Sequence, residues 1–138
     1  MRALGIDFGE KRIGLAISDP DGRLAVPLET LERRNDRSAL RQITEIVRRE
    51  GVERLVLGDP VDLEGRRGEN AERVRRFGER LAAMTGLPLE WVGETLTSVE
   101  AAARLRQAGI GSRRQPGRID AVAAQILLQE ALDRSAGA

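Results

Sequence analysis

The strongest constraint on the fold of this chain lies in its first eighteen residues. Leu4, Ile6 and Phe8 alternate there with Ala3, Gly5 and Asp7. After the short segment Gly9-Glu10-Lys11-Arg12, Ile13, Leu15 and Ile17 alternate with Gly14, Ala16 and Ser18. A period of two on both sides of a Gly-containing turn predicts a β-hairpin. One face of each strand is bulky, and the other is small apart from Asp7. A carboxylate on such a strand is costly to bury unless something pairs with it. A metal ion would pair with it, and the small neighbours leave room for one.

The remaining pattern extends this hairpin into an α/β domain. A third strand is expected over Leu24 to Leu28, after the Asp19-Pro20-Asp21-Gly22 turn. Asn35 or Asp36 can cap a helix running to about Arg49, with Leu40, Ile43, Ile46 and Val47 on one face and Gly51 ending it. Arg54 to Leu57 reads as a short buried strand, stopped by Gly58-Asp59-Pro60. A second helix is expected from about Asn70 to Gly86, then a fifth strand within Leu87 to Leu96 ending near Glu94. Thr97-Ser98-Val99-Glu100 fits a capping box for a helix to about Ala108, and a last helix is expected from near Arg118 past Leu132. Three meandering strands followed by β-α units predict a five-stranded mixed sheet with flanking helices, and strand four beside strand one. At 138 residues, with no repeat or linker, one domain over residues 1–138 is expected.

The residue types that are missing narrow the chemistry. The chain has no Cys and no His, which excludes disulfides, thiolate and imidazole ligands, cysteine nucleophiles and a histidine base. Any metal ligand or general base is therefore Asp or Glu. No run is long enough to span a membrane and no signal peptide opens the chain, so a cytoplasmic protein with no membrane partner is expected. The net charge of +1 argues for no partner by itself. No long apolar stripe demands a dimer, so a monomer or weak homodimer is expected.

Three acidic residues fall at element ends that such a sheet can bring together. Asp7 ends the first strand, Glu94 the fifth, and Asp120 opens the last helix. Clustered carboxylates repel one another unless a divalent cation is present. Mg²⁺ and Mn²⁺ favour all-oxygen sites. Two such ions about 3.5–4 Å apart can activate water and stabilise the leaving oxygen in phosphodiester cleavage. Each residue also has a plainer reading: Glu94 as a solvated strand end, and Asp120 as a complement to the helix dipole. The setting of Asp120, Ile119-Asp120-Ala121-Val122-Ala123-Ala124, is one of small apolar residues suited to close packing.

Gly5-Ile6-Asp7-Phe8-Gly9 with Arg12-Ile13-Gly14 and Ser18-Asp19-Pro20 resembles the opening of the YqgF (RuvX) family. The segment Gly65 to Arg76, with Gly68, Ala71, Glu72 and Val74, resembles the middle of that family. Glu94 with Leu96-Thr97-Ser98-Val99-Glu100-Ala101 resembles its Asp-Glu-Arg motif, and Asp120 to Ala124 with Ile126 to Gln129 its C-terminal helix. The resemblance covers nearly the whole chain. It implies the RNase H-like fold, kinship with Holliday-junction resolvases, and trimming of the 5′ end of the 16S rRNA precursor. It further implies Asp7, Glu94 and Asp120 as the metal-binding catalytic acids, with Mg²⁺ or Mn²⁺. The chain departs from the family at Gly93-Glu94-Thr95, where the flanking Asp and Arg are lost. It also departs at Gly58-Asp59-Pro60, where Asp59 replaces a usual Leu and is either an additional ligand or a turn residue.

Basic residues flank the acids in the sequence. Lys11 and Arg12 stand in the hairpin turn, and Arg113, Arg114 and Arg118 surround the segment before Asp120. They can hold phosphates, or serve as solvated charges. Aromatics are 2% of the chain, so recognition is expected to be led by backbone and shape. RNA, namely the 16S rRNA precursor, is the first expected partner and branched DNA the second. Two alternatives stand beside the nuclease: a non-catalytic RNA-binding assembly factor, and an ATP-binding fold of the actin and sugar-kinase kind. The second of these needs two such domains around its nucleotide.

Overall fold

In the computed structural model, residues 1–9, 11–59, 69–93 and 116–137 are described, with the backbone alone at 69, 70 and 116–119. The predicted hairpin is present: β1 (Ala3–Phe8) pairs antiparallel with β2 (Arg12–Ser18), Asp7 opposite Gly14, and the Gly9 N–H closes the turn on the Arg12 carbonyl at 2.9 Å. β3 (Ala25–Glu32) continues the meander past the expected end, because its pairing with β2 runs on to Glu32 opposite Arg12. The register shift between Leu15 and Ala16 lets this longer strand stay in phase.

The crossovers then build outward on the other side of β1. Helix α1 (Asp36–Glu50) begins at Asn35, whose side chain accepts the Ser38 N–H, and ends at Gly51 with φ 66°, a left-handed turn that glycine takes without strain. β4 (Arg54–Asp59) lies parallel to β1, α2 (Glu69–Thr85) returns, and β5 (Leu89–Gly93) lies parallel to β4. The sheet order is β3-β2-β1-β4-β5. The expected helix over Thr97 to Ala108 lies outside the described residues. The final helix, α3, spans Pro116–Gly137 and so starts before Arg118. Proline suits a first helical position, since the N–H it lacks has no partner there.

The two faces of the sheet are packed differently. Leu4, Ile6, Ile13, Leu15, Leu55 and Leu57 meet α1 and α2 through Leu40, Ile43, Phe77 and Leu81, all fully buried. The other face is made of Ala3, Ala16, Ala25, Val56 and Val92, and α3 lies against it through Ala124, Leu127, Leu128 and Ala131. The small face therefore brings a helix axis close to the sheet. A Cβ on Gly5 would stand 2.7 Å from the Leu128 Cβ and 3.0 Å from the Ala124 carbonyl oxygen. Most of the space that the alternation offers to an ion is thus taken by α3, and only the Asp7 end is left for other use.

Candidate active site

Asp7 sits one residue from the end of the central strand, half-buried, on the α3 face that Ala3 and Gly5 share. Its cross-strand neighbour is Gly14. A Cβ on Gly14 would lie 2.0 Å from the Asp120 carbonyl oxygen and 2.2 Å from its carbonyl carbon. The backbone of α3 thus touches β2 at Asp120, one strand away from Asp7. Sequence reasoning misses Gly14 as a positioning residue, because a missing side chain gives no sign of the backbone that it admits.

Asp120 is the fifth residue of α3, not its opening residue, so it stands beyond the first turn where a carboxylate complements the helix dipole. Its Oδ2 accepts from the Arg12 Nε at 3.1 Å. Arg12 alternates with Gly14 and Ala16, so it shares their face. Burial pushes the Asp120 carboxyl above its ordinary value, and the Arg12 charge and hydrogen bond only partly oppose this. A half-buried carboxylate so placed retains an incentive to take up positive charge.

β5 ends at Gly93, paired with Asp59. Glu94 follows immediately in the sequence and lies outside the described residues, as do Arg113 and Arg114. Arg118 has its backbone in the first turn of α3, and Lys11 is exposed in the hairpin turn. Among the described residues no three acidic side chains come together as a ligand set. The structure thus joins Asp120 to Arg12 on β2, the strand that pairs with the one carrying Asp7. Asp59 belongs to β4 itself and not to a turn, and it follows Leu55 and Leu57 in the alternation. It therefore takes the α1–α2 face, away from Asp7, which argues against its service as an additional ligand.

Comparison with known proteins gives this arrangement a lineage. The family model for RuvX, described as Holliday junction resolvase, matches residues 1–134. The chain belongs to the RuvX family. Proteins provisionally named pre-16S rRNA nucleases are similar throughout. One from Moorella thermoacetica is 46% identical over 134 residues, covering 97% of this chain and 96% of its own. One from Anaeromyxobacter sp. (strain K) is 43% identical over 136 residues, covering 99% of both. Among solved structures, Thermus thermophilus RuvC aligns with a TM-score of 0.61 at 19% identity, over 99% of this chain and 97% of its own. The Fowlpox virus resolvase in complex with Holliday junction DNA aligns at 0.62 and 11% identity, over 98% and 99%. At such identities the likeness is one of fold, the RNase H-like fold with its mixed five-stranded sheet. Membership of the RuvX family makes the chain a phosphodiester-hydrolysing enzyme.

Proposed function

We propose that this RuvX protein is a divalent-metal-dependent nuclease that matures the 5′ end of the 16S rRNA precursor in the cytoplasm. The observation that carries the reading is the contact of α3 with Gly14, which sets Asp120 beside the strand pair holding Asp7. The chain's lack of Cys and His restricts its donors to oxygen, and oxygen donors suit Mg²⁺ or Mn²⁺. Asp7 and Asp120, with Glu94 from the end of β5, would hold the ion. When bound, such an ion lowers the pKa of its water and stabilises charge on the phosphoryl oxygens.

The chain's own groups do the positioning. Asp7 is fixed by a central strand with neighbours on both sides, and Asp120 by a helix packed on bare Cα atoms, so neither depends on a loop for its place. Arg12 uses one N–H on Asp120 and keeps four for a phosphate. Lys11, Arg113, Arg114 and Arg118 are proposed to extend that contact along the backbone. The name borne by relatives at 43–46% identity favours an RNA substrate, and the family description keeps branched DNA as the second reading.

The deciding experiment is cleavage of a 5′-extended 16S rRNA precursor fragment and of a four-way DNA junction, each with Mn²⁺, Mg²⁺ or EDTA. Asp7→Asn runs alongside. Metal-dependent cutting of the RNA that vanishes in the variant is the expected result. Preference for the junction would replace the RNA reading with the resolvase one. Binding without cutting under any condition would make the protein an assembly factor.

A further inference from the structure

Arg73, Arg76 and Arg80 occupy one flank of α2, spaced by three and four residues. With Asp36 and Phe77 they line a groove of about 380 Å³ between α2 and the start of α1. All three arginines are exposed. The groove's carboxylate, Asp36, is engaged by Arg33 at 3.1 Å, and among the described residues none of the three arginines makes an ion pair. The acidic residues Glu72 and Glu79 of the same helix do not line the groove, and Arg75 leaves by the other flank to lie over Trp91 at 5.6 Å. Positive charge is therefore concentrated in one concavity of a chain whose net charge is only +1. Arginines serving solubility alone are better interspersed with acids.

Both helices that flank the groove set out from the end of the sheet that holds Asp7. β3 ends at Glu32 opposite Arg12, and α1 follows, so α1 begins at the end of the sheet that holds Asp7. β4 is parallel to β1, and α2 follows it from that same end. The link between that end and the groove is Arg33. Its N–H donates to the Lys11 carbonyl at 2.9 Å, and its guanidinium lies 4.5 Å over the Phe8 ring. Arg33, its side chain buried, thus ties the hairpin turn that holds Lys11 to Asp36 in the groove, with Lys11 and Arg12 exposed on one side of it and the groove arginines on the other.

We infer that the α1–α2 groove grips the phosphate backbone of a double-helical arm of the substrate, while the strand to be cut lies at the Asp7–Asp120 edge. The inference rests on the nuclease reading and adds the form of the substrate to it. From Arg73 to Arg80 the helix rises about 10 Å, matching roughly three steps of one strand in a duplex. Guanidiniums spaced along one flank of a helix suit a regular row of phosphates. Single-stranded bases have little to stack on here, because Phe8 and Phe77 are buried against each other at 4.5 Å and Trp91 lies beneath Arg75. A second copy of the chain docking through the same groove would oppose like charges.

The test is RNA binding in EDTA, which is independent of cleavage. The probes are a hairpin RNA with a single-stranded 5′ extension, and the extension alone. The wild-type chain should bind the hairpin more tightly and with the steeper salt dependence. R73Q/R76Q/R80Q should lower the slope of log affinity against log salt for the hairpin by about 2–3, and weaken its binding roughly tenfold or more. Its binding of the extension should stay within about twofold, since that probe makes few groove contacts. The control R23Q/R48Q, at the opposite end of the sheet, should leave the hairpin slope as it is. An unchanged slope in the triple variant, an equal loss in the control, or an equal loss on the extension alone overturns the inference and leaves the nuclease reading standing. A wild-type chain that binds neither RNA overturns both.

Discussion

Gly14 has no side chain to contribute, yet it decides where Asp120 stands. A methyl group there would meet the Asp120 carbonyl at 2.0 Å and the Ala121 amide nitrogen at 2.9 Å, backbone atoms that a rotamer change cannot move. Gly14→Ala must push α3 off the sheet, so the expected loss is at the top of the overpacking range or beyond it, about 3 kcal/mol, and cleavage falls with it. Gly137→Ala, where nothing lies within 4 Å, should leave the unfolding midpoint unchanged in the same denaturation series. Asp120 makes the opposite trade. Its folded pKa is above its unfolded value, so the folded state holds the proton more tightly. Its favourable contribution is complete below the unfolded value and is lost as pH rises through the folded one. At neutral pH the ionised group therefore opposes folding, and its exposed pairing with Arg12 returns little. Asp120→Asn should unfold at pH 7 no lower than wild type while losing cleavage by roughly 10²-fold or more, the scale on which damage to a metal site is felt. A clear drop in unfolding temperature would show that the carboxylate supports the fold instead. Asp7 stands out in the sequence because a lone acid in an alternating strand is anomalous. The role of Gly14 does not, because a missing side chain leaves no sign of what it accommodates.

Elements with a strong local signal were legible almost to the residue. The chain around α1 spells a cap, an apolar stripe and a glycine stop, and the helix runs from Asp36 to Glu50 between Asn35 and Gly51. Asn35→Ala removes the acceptor for the Ser38 N–H at 2.8 Å and should cost about 1 kcal/mol in chemical denaturation. Cleavage by this variant should be unchanged, because the cap touches neither Asp7 nor Asp120. Where tertiary pairing sets the boundary, the local pattern falls short. β3 runs on to Glu32 because β2 offers partners as far as Arg12, and β4 absorbs Gly58 and Asp59 because β5 pairs with both. The start of α3 at Pro116 moves Asp120 from the helix opening into its second turn, which weakens the dipole explanation for that residue. Asp59 is a candidate ligand in the sequence only as a departure from the family pattern, and the alternation of β4 argues against that role. A residue in phase with Leu55 and Leu57 faces the large-residue layer.

At the scale of the molecule, the two layers divide the work. The α1–α2 side carries the large side chains, and its burial of Leu, Ile and Phe supplies most of the apolar driving force. The α3 side is built from small residues, so it contributes closeness more than area, and closeness is what sets the Asp120 backbone against Gly14, the cross-strand neighbour of Asp7. An ion that binds these acids in the folded chain alone should stabilise the whole fold by mass action. At ten times its dissociation constant, such an ion contributes about 1.4 kcal/mol. For a chain of this size that raises the unfolding temperature by roughly 4–6 °C. Thermal unfolding in Mn²⁺ against EDTA should therefore give a saturable upward shift in the wild-type chain and none in Asp7→Asn. The shift should also shrink as pH falls toward the raised pKa of Asp120, because the proton and the ion compete for the same oxygens. An equal shift in both proteins would place the ion elsewhere, and the pair of acids would then have to be explained without it.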